Sequence, residues 1–284
     1  MRILGAITVG ALAVALSLAV AGCGGSSSSL SLDDVAQAAA KTSDRGSFAS
    51  SLHMTMTLLG GVHVNLAGQG AYDVRRQRSS MTMDMSDVSR LTGQDLGTMK
   101  LVQTGTVLYM GMPALQSQIP GGKPWVKLDL QQAGKKMGID ISAFMQLGSG
   151  ASPATWLQNL RAAGDLTRLG TEDVRGVHTT HYRVVVDLRK VPETVPKRLR
   201  ARIRASTEKI IQMTGQARVP EELWIAADGL VRRLRLEQRI PVGASQGKLT
   251  MTMDLYDFGR PVHVTVPPAD QVTDISELLS NGSS

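Results

Sequence analysis

The side chains here best suited to chemistry are the single cysteine and the five histidines. Cys23 alone cannot form an intrachain disulfide, a redox pair or a thiolate metal cluster. His178 and His181 are three residues apart in an alternating segment, and on a strand such residues point to opposite faces and cannot bind one metal ion together. His53 and His63 lie in neighbouring alternating segments. We expect them to meet as a surface pair rather than a metal site, because no cysteine or acid lies nearby.

Motifs of known catalytic sites give no support for an enzyme. The sequence contains no glycine-rich phosphate loop and no His-Glu-x-x-His helix, and its match to Gly-x-Ser-x-Gly at 243–247 lies between two predicted strands rather than at the strand-to-helix turn that the nucleophile elbow requires. The sequence therefore predicts no catalytic residues, no metal site and no cofactor, and so a protein that is not an enzyme.

The residues before Cys23 indicate its role. An uncharged apolar run follows Arg2 and ends in Val20-Ala21-Gly22-Cys23, which is typical of a secretory signal peptide. The tetrapeptide resembles the lipobox of bacterial lipoproteins, where the thiol is acylated and the chain is cut in front of it. We therefore predict a signal peptide over 1–22, lipidation of Cys23 and an extracytoplasmic protein anchored to the cell membrane.

A membrane-spanning helix is the alternative for this segment, since the run approaches the ~20 residues that a bilayer requires. Glycines and serines follow the run instead of the basic residues of a stop-transfer signal, which favours a removed segment. We predict a Ser/Gly-rich tether over 23–30 and a single domain over 31–284, with a disordered tail from about 277.

Charge argues against one class of partner. The formal net charge of +7 is modest for 284 residues and is spread along the chain. Nucleic-acid binding is therefore not expected, and the predicted location outside the cytoplasm agrees with this.

Period-2 alternation of apolar and polar residues dominates the chain and predicts strands with one buried face. The predicted strands are 52–58, 62–66, 81–85, 107–110, 125–128, 182–188, 223–225, 230–240 and 249–255. Gly60-Gly61 predicts a two-residue hairpin turn between the first two. Helical spacing predicts helices over 32–41, 153–163 and 196–215, of which the third is amphipathic and basic.

Three segments, in this order, resemble a known family: 176–184, 222–233 and 256–262 with the following Pro267-Pro268. Together with the lipobox and the order of elements, they resemble the LppX/LprG-type lipoproteins of the LolA-like superfamily. The resemblance implies an α+β fold with a strongly curved antiparallel sheet, an incomplete barrel, and helices packed on its concave side. It also implies binding of acyl chains, transfer of lipids or lipidated molecules across the envelope, and no catalytic residues.

Methionine supports the same interpretation from composition. The sequence contains fourteen methionines but only ten aromatic residues. The methionine side chain is flexible and adapts to ligands of variable shape. A solid core is the alternative, because apolar strand faces usually are core. The residues predicted to line a lipid cavity are Leu52, Met54, Met56, Met81, Met83, Leu234, Leu236, Met251 and Met253.

The basic helix also allows two interpretations. Arg198, Arg200, Arg202 and Arg204 are candidates for contact with anionic lipid head groups or the membrane surface, and the alternative is an ordinary solvated face. The segment from Lys197 to Lys209 matches no motif of the family.

Two functions follow as hypotheses. The first is a membrane-anchored lipoprotein that binds and carries lipids or lipidated molecules. The second is a non-catalytic envelope adaptor or sensor that uses the same fold to bind a protein partner, whose identity the sequence does not indicate.

Overall fold

The structure is a computed structural model that describes residues 32–57, 61–119, 121–136, 138–140, 166–242 and 245–275. The predicted signal peptide, Cys23, the tether, the predicted helix over 153–163 and the predicted tail all lie outside the described residues.

Twelve strands form one sheet in the described part of the chain. They are β1 Ser47–Thr57, β2 His63–Asp73, β3 Arg78–Asp84, β4 Thr98–Thr104, β5 Val107–Gly111, β6 Trp125–Asp129, β7 Leu166–Val174, β8 Val177–Asp187, β9 Arg218–Ala226, β10 Val231–Val242, β11 Ser245–Tyr256 and β12 Val272–Asp274. The described helices are α1 Leu32–Asp44, α2 Ser86–Thr92, α3 Leu130–Lys136, α4 Val191–Thr194 and α5 Lys197–Thr214, with short 3-10 turns at Pro113–Gln118 and Ala269–Gln271.

The strand order across the sheet is β12-β6-β5-β4-β3-β2-β1-β11-β10-β9-β8-β7. Neighbouring strands are antiparallel except β12, which runs parallel to β6. The sheet is open, with β12 and β7 at its edges, so the predicted α+β architecture built on an incomplete antiparallel barrel is confirmed.

Pairing corrects the predicted first hairpin. Thr57 lies opposite His63, so five residues connect β1 and β2 rather than the two predicted at Gly60-Gly61. β2 also extends to Asp73, beyond its predicted end at residue 66. Its second half contains Gly68 and Gly70, which interrupt the apolar pattern without interrupting the pairing.

The sequence patterns do not predict six further helices and strands, namely α2, α3, α4, β4, β7 and β12. β7 is an edge strand whose residues are mostly exposed, so it has no apolar face to generate a pattern. β12 has only three residues and is held by pairing with Trp125, Val126 and Lys127 of β6. Its position depends on tertiary contacts, which no local pattern records.

Helix α1 packs on one face of the sheet. Val35 and Ala38 join a buried cluster with Tyr182, Leu223 and Leu255. A hydrogen bond from the backbone N–H of Val231 to Thr42 Oγ1 (2.9 Å) fixes the end of the helix to the start of β10. The face beneath α1 therefore forms part of the core, and the same face continues into β11 and β1.

Candidate functional site

One row of apolar side chains crosses seven strands on the face that α1 covers at one side. Residues directly opposite each other in an antiparallel pair share a face, so the register defines the row. From β9 to β4 its members are Leu223, Leu234, Met253, Leu52, Gly68, Met83 and Met99. At about 4.8 Å per strand, the row extends about 29 Å along the sheet.

A second row lies one pleat further along the strands. It consists of Leu236, Met251, Met54 and Leu66, while Met56 lies opposite Val64 and Met81 lies opposite Leu101. All nine residues predicted to line a cavity therefore occupy one face of the sheet, which we call the apolar face.

Burial differs across the apolar face. Leu52 and Met83 are buried in a cluster with Val64 and Leu66. Met54 and Met251 pack against that cluster and are only partly buried, as are Met56, Met81 and Met253. The partly buried methionines retain apolar surface that a ligand could cover.

Two glycines shape the face where β2 crosses it. A Cβ on Gly68 would lie 3.2 Å from Met83 Cγ, and one on Gly70 would lie 3.3 Å from Met81 Cβ and 2.6 Å from the backbone oxygen of Ser80. Met81 and Met83 therefore occupy the space left by the missing side chains, and neither glycine has room for even a methyl group.

Two polar side chains interrupt the apolar face, and sequence reasoning missed both. Glu221 lies opposite Val184 and Leu236, and within the described residues no hydrogen bond or ion pair holds it. Burial raises the pKa of the Glu221 carboxyl above its ordinary value of 4.5. Ser50 is fully buried and its hydroxyl has no hydrogen-bond partner. The break in alternation at Glu221-Glu222 was the available signal for the first.

The predicted head-group arginines all lie on the exposed side of α5. Arg202 is held by Asp140 (Nε to Oδ2, 2.6 Å), and Arg200 donates to the backbone oxygens of Glu193 and Val195 (3.3 Å each). The side chains of Arg198 and Arg204 make no hydrogen bond or ion pair with the described residues. The arrangement leaves two of the four with unused donors.

On its inner side, α5 buries Leu199 and Ile203 against Val195 and Val191. The helix connects the end of β8 with the start of β9 and contacts β10. The backbone N–H of Asp140 donates to Ser206 Oγ (2.9 Å), which fixes the segment before residue 141 against the middle of the helix.

The opposite face of the sheet, which we call the outer face, carries an ionic network. Glu222 accepts hydrogen bonds from Arg183 (2.7 Å) and Arg235 (3.3 Å) in one row across three strands. Burial alone would raise the pKa of Glu222, but the hydrogen bond from Arg183 and the charges of Arg235, Arg183 and His181 outweigh it and lower the pKa. This carboxylate therefore stays ionised and fixes two arginines.

The histidines do not form the predicted pair. His53 lies opposite Ala67, whereas His63 lies opposite Thr57 and contacts its hydroxyl (3.1 Å), so the two rings are four residues apart along the hairpin. No group of three or more His, Cys, Asp or Glu side chains in the described part of the chain is placed to hold a metal ion.

His178 and His181 have different surroundings, in keeping with their predicted opposite faces. His178 contacts Asp173 (Nδ1 to Oδ1, 3.0 Å), while His181 stacks on Trp224 with ring centroids 3.9 Å apart. The Trp224 indole in turn donates to Glu172.

A cleft of about 1030 Å³ lies on the outer face over β1, β2 and β3. Hydroxyl, amide and charged groups line it, among them Ser51, Gln69, Thr82, Asp84 and Gln94. Most of the accessible lining of the cleft is nevertheless apolar, so its lining does not exclude an acyl chain. We place the candidate site for apolar ligands on the apolar face because its partly buried methionines form a continuous surface across neighbouring strands.

Comparisons with solved structures find proteins that align with most of this chain. The lipoprotein LppX of Mycobacterium tuberculosis aligns with 82% of this chain and 97% of its own length, at 14% identity and a TM-score of 0.49. These alignments confirm the predicted resemblance. The chain resembles the LppX-type lipoproteins.

LprF of Mycobacterium bovis aligns with 84% of this chain and 97% of its own, at 14% identity and a TM-score of 0.43. The LolA superfamily protein NE2245 of Nitrosomonas europaea aligns with 83% of this chain and 96% of its own, at 10% identity and a TM-score of 0.31.

Sequence comparison finds an uncharacterized 31.2 kDa protein of Streptomyces griseus, 23% identical over 198 residues. The match covers 70% of this chain and 63% of that protein, less than two thirds of its length. No family model matches the chain. In the described residues no helix is both long and apolar enough to cross a bilayer.

Proposed function

We propose that this protein is an extracytoplasmic lipoprotein, anchored through acylated Cys23, that binds lipid acyl chains on the apolar face and carries lipids or lipidated molecules across the cell envelope. The observation that carries the proposal is the pair of apolar rows, which meet at Met54, Met251, Leu52 and Met253. The partial burial of the methionines in these rows leaves apolar surface for a ligand.

The energetics suit an acyl chain. Each buried CH₂ contributes about 0.8 kcal/mol, so a ligand of ten or more methylenes gains enough to offset its own ordering. Methionine side chains rotate about three bonds and can follow chains of different curvature and length. The face therefore favours a class of ligand, apolar and unbranched, over one defined shape.

We assign the other end of the ligand to the arginines of α5, the helix that contacts β10. Arg198 and Arg204 have unused donors, and Arg200 and Arg202 are already oriented by Glu193, Val195 and Asp140. Guanidinium groups bind phosphate and carboxylate well, so an anionic head group at α5 would place its acyl chain towards the sheet.

The proposed localisation rests on the sequence before residue 32 and on the name of one similar structure, the lipoprotein LppX of Mycobacterium tuberculosis. An acyl anchor would hold the apolar face near its ligands, which raises their effective concentration. The function requires no chemical step, so no catalytic residue is assigned.

The test is extraction and mass spectrometry of the purified mature protein. We expect a roughly stoichiometric acyl-bearing molecule in the organic extract and reloading of the stripped protein with fatty acid or phospholipid. An extract without lipid, together with no binding after stripping, would contradict the proposal. In that case a stoichiometric protein cross-linked in intact cells would favour the envelope adaptor.

A further inference from the structure

The turns at one end of the sheet are rich in arginine. The strands begin and end there at residues 41–46, 73–78, 104–107, 173–178, 227–232 and 256–260, which we call the arginine end. These segments contain eight lysine and arginine residues against five aspartates, a surplus of three positive charges.

The carboxylates of the arginine end are largely used within it. Asp73 pairs with Arg76 (2.8 Å), Asp228 with Arg232 (2.6 Å), and Asp173 contacts His178. Four further arginines are exposed and have no carboxylate partner among the described residues: Arg45, Arg75, Arg78 and Arg175. The surplus positive charge is therefore exposed to solvent.

Backbone hydrogen bonds hold these turns together as one surface. Val74 N–H donates to Gly46 O (3.0 Å), and Gly105 N–H donates to Gln77 O (3.0 Å). The guanidinium of Arg175 lies 4.0 Å from the centroid of the Tyr256 ring. The Arg75 side chain lies against Gly46, where a Cβ would be 2.7 Å from Arg75 Nε. These contacts hold the turns together, so the arginine side chains extend from one connected surface.

Helix α1 lies at the same end of the strands. Its residues Asp34, Gln37 and Lys41 share a groove with His178 and Gly229, which belong to two turns of the arginine end. Since Thr42 is bonded to Val231, the helix ends at the arginine end, and the groove runs along it from Asp34 to Lys41.

The length of chain before α1 limits the distance to the anchor. Eight residues lie between Cys23 and Leu32, and the segment spans at most about 30 Å when fully extended. Helix α1 has 13 residues, or about 20 Å, and ends beside the arginine end, so its start lies within about 20 Å of that end. An anchor at Cys23 therefore allows the arginine end to reach the bilayer.

We propose that the arginine end is a docking surface for an anionic membrane, and that it orients the anchored protein with its strands pointing away from the bilayer. The proposal rests on the anchor at Cys23 that is part of the proposed function. Each arginine near a membrane surface is attracted by anionic lipids, and several act together. The two connections of helix α5, to the end of β8 and to the start of β9, then lie at the end of these strands away from the membrane.

Vesicle binding tests the docking surface without the anchor. The mature chain with Cys23→Ser is mixed with vesicles of phosphatidylcholine containing a quarter phosphatidylglycerol, and with vesicles of phosphatidylcholine alone. We expect binding to the anionic vesicles only. The triple variant R45Q/R75Q/R78Q should bind about 100-fold more weakly.

A matched control removes three charges from the opposite end. Arg189, Lys190 and Lys197 are exposed, so R189Q/K190Q/K197Q has the same net charge as the first variant and should keep most of the vesicle binding. Thermal unfolding checks that both variants fold. Equal losses in the two variants, or no binding of the parent to anionic vesicles, would overturn the proposal.

Failure of the docking surface and failure of the lipid-carrier function give different results. The R45Q/R75Q/R78Q protein should still release bound lipid on extraction, because none of the three residues touches the apolar face. Lipid in the extract with equal vesicle binding by all variants would overturn only the docking surface.

Discussion

Met54 of β1 lies directly opposite Met251 of β11 at the centre of the apolar face. Both side chains are partly buried, and the neighbouring pair Leu52 and Met253 continues the same surface. Two strands that are almost two hundred residues apart in sequence thus supply the middle of one continuous ligand-sized surface.

Substitution of Met251 by tryptophan should block ligand binding. The larger, rigid ring would occupy apolar surface that the methionine leaves accessible, so we expect at least a tenfold rise in the dissociation constant for a fluorescent fatty acid. The neighbouring substitution Thr250→Trp is the control, because Thr250 lies on the outer face opposite Glu237. Equal affinities of the two variants would show that the apolar face does not bind the probe.

Substitution of Glu221 by glutamine should change how stability depends on pH. The raised pKa means that the native state keeps its proton above pH 4.5 while the unfolded state loses it, so this group makes the free energy of unfolding fall as pH rises from 4.5 to the native pKa. Glu221→Gln should remove that fall. Urea unfolding at about pH 5 and about pH 7.5 measures it, and parallel profiles of parent and variant would contradict the assignment.

Substitution of Glu222 by glutamine should destabilise the protein by about 1–3 kcal/mol, because Arg183 and Arg235 would lose the carboxylate between them. Glu237→Gln is the matched control. Its carboxylate pairs with Lys248 at 2.8 Å, but both side chains are more than 40% exposed, so its loss should cost less than about 1 kcal/mol. Chemical unfolding of both variants near neutral pH makes the comparison.

The interactions of Glu222 also predict that the protein is sensitive to acid. The pKa of the Glu222 carboxyl is lowered in the native state, so its contribution to stability is present above the ordinary value of 4.5 and is lost as pH falls through the native pKa. The parent protein should therefore lose more stability than Glu222→Gln below pH 4.5. An identical acid transition in the parent and in Glu222→Gln would indicate that Arg183 and Arg235 do not favour the ionised form of the Glu222 carboxyl.

Substitution of Cys23 by alanine should abolish lipidation. The precursor would lack the thiol that is acylated and would escape cleavage by the lipoprotein peptidase, so we expect a chain that migrates more slowly in electrophoresis and incorporates no labelled palmitate. Incorporation of label and electrophoretic mobility identical to the parent would refute the lipobox interpretation.

Alternation alone was enough to predict the apolar face. Met251 and Met253 alternate with threonine and aspartate, and such a pattern places every second side chain on one face whatever the neighbouring strand is. The same reasoning fails for β2 beyond Leu66, where Gly68 and Gly70 replace apolar residues because Met81 and Met83 fill their space. Side chains of β3 fill the space above the glycines of β2, and this can be seen only when the pairing of the two strands is known.

Interactions between distant segments also escaped prediction. Glu222 is placed between Arg183 and Arg235 by the register of three strands, and the arginine end assembles from turns that no single window of sequence contains. The expected meeting of His53 and His63 fails for a different reason. A two-residue turn at Gly60-Gly61 would place His63 opposite residue 58, and the observed register places it opposite Thr57. Neither register brings the two histidines opposite each other.

Photo-cross-linking tests the central claim most directly. The mature protein is loaded with a fatty acid that carries a diazirine in its chain, irradiated, and mapped by peptide mass spectrometry. We expect adducts on residues of the apolar face, including Met54 and Met251. Unlabelled lipid should compete with the probe and remove these adducts. Adducts confined to the outer face, or a labelling yield that competition does not change, would contradict it.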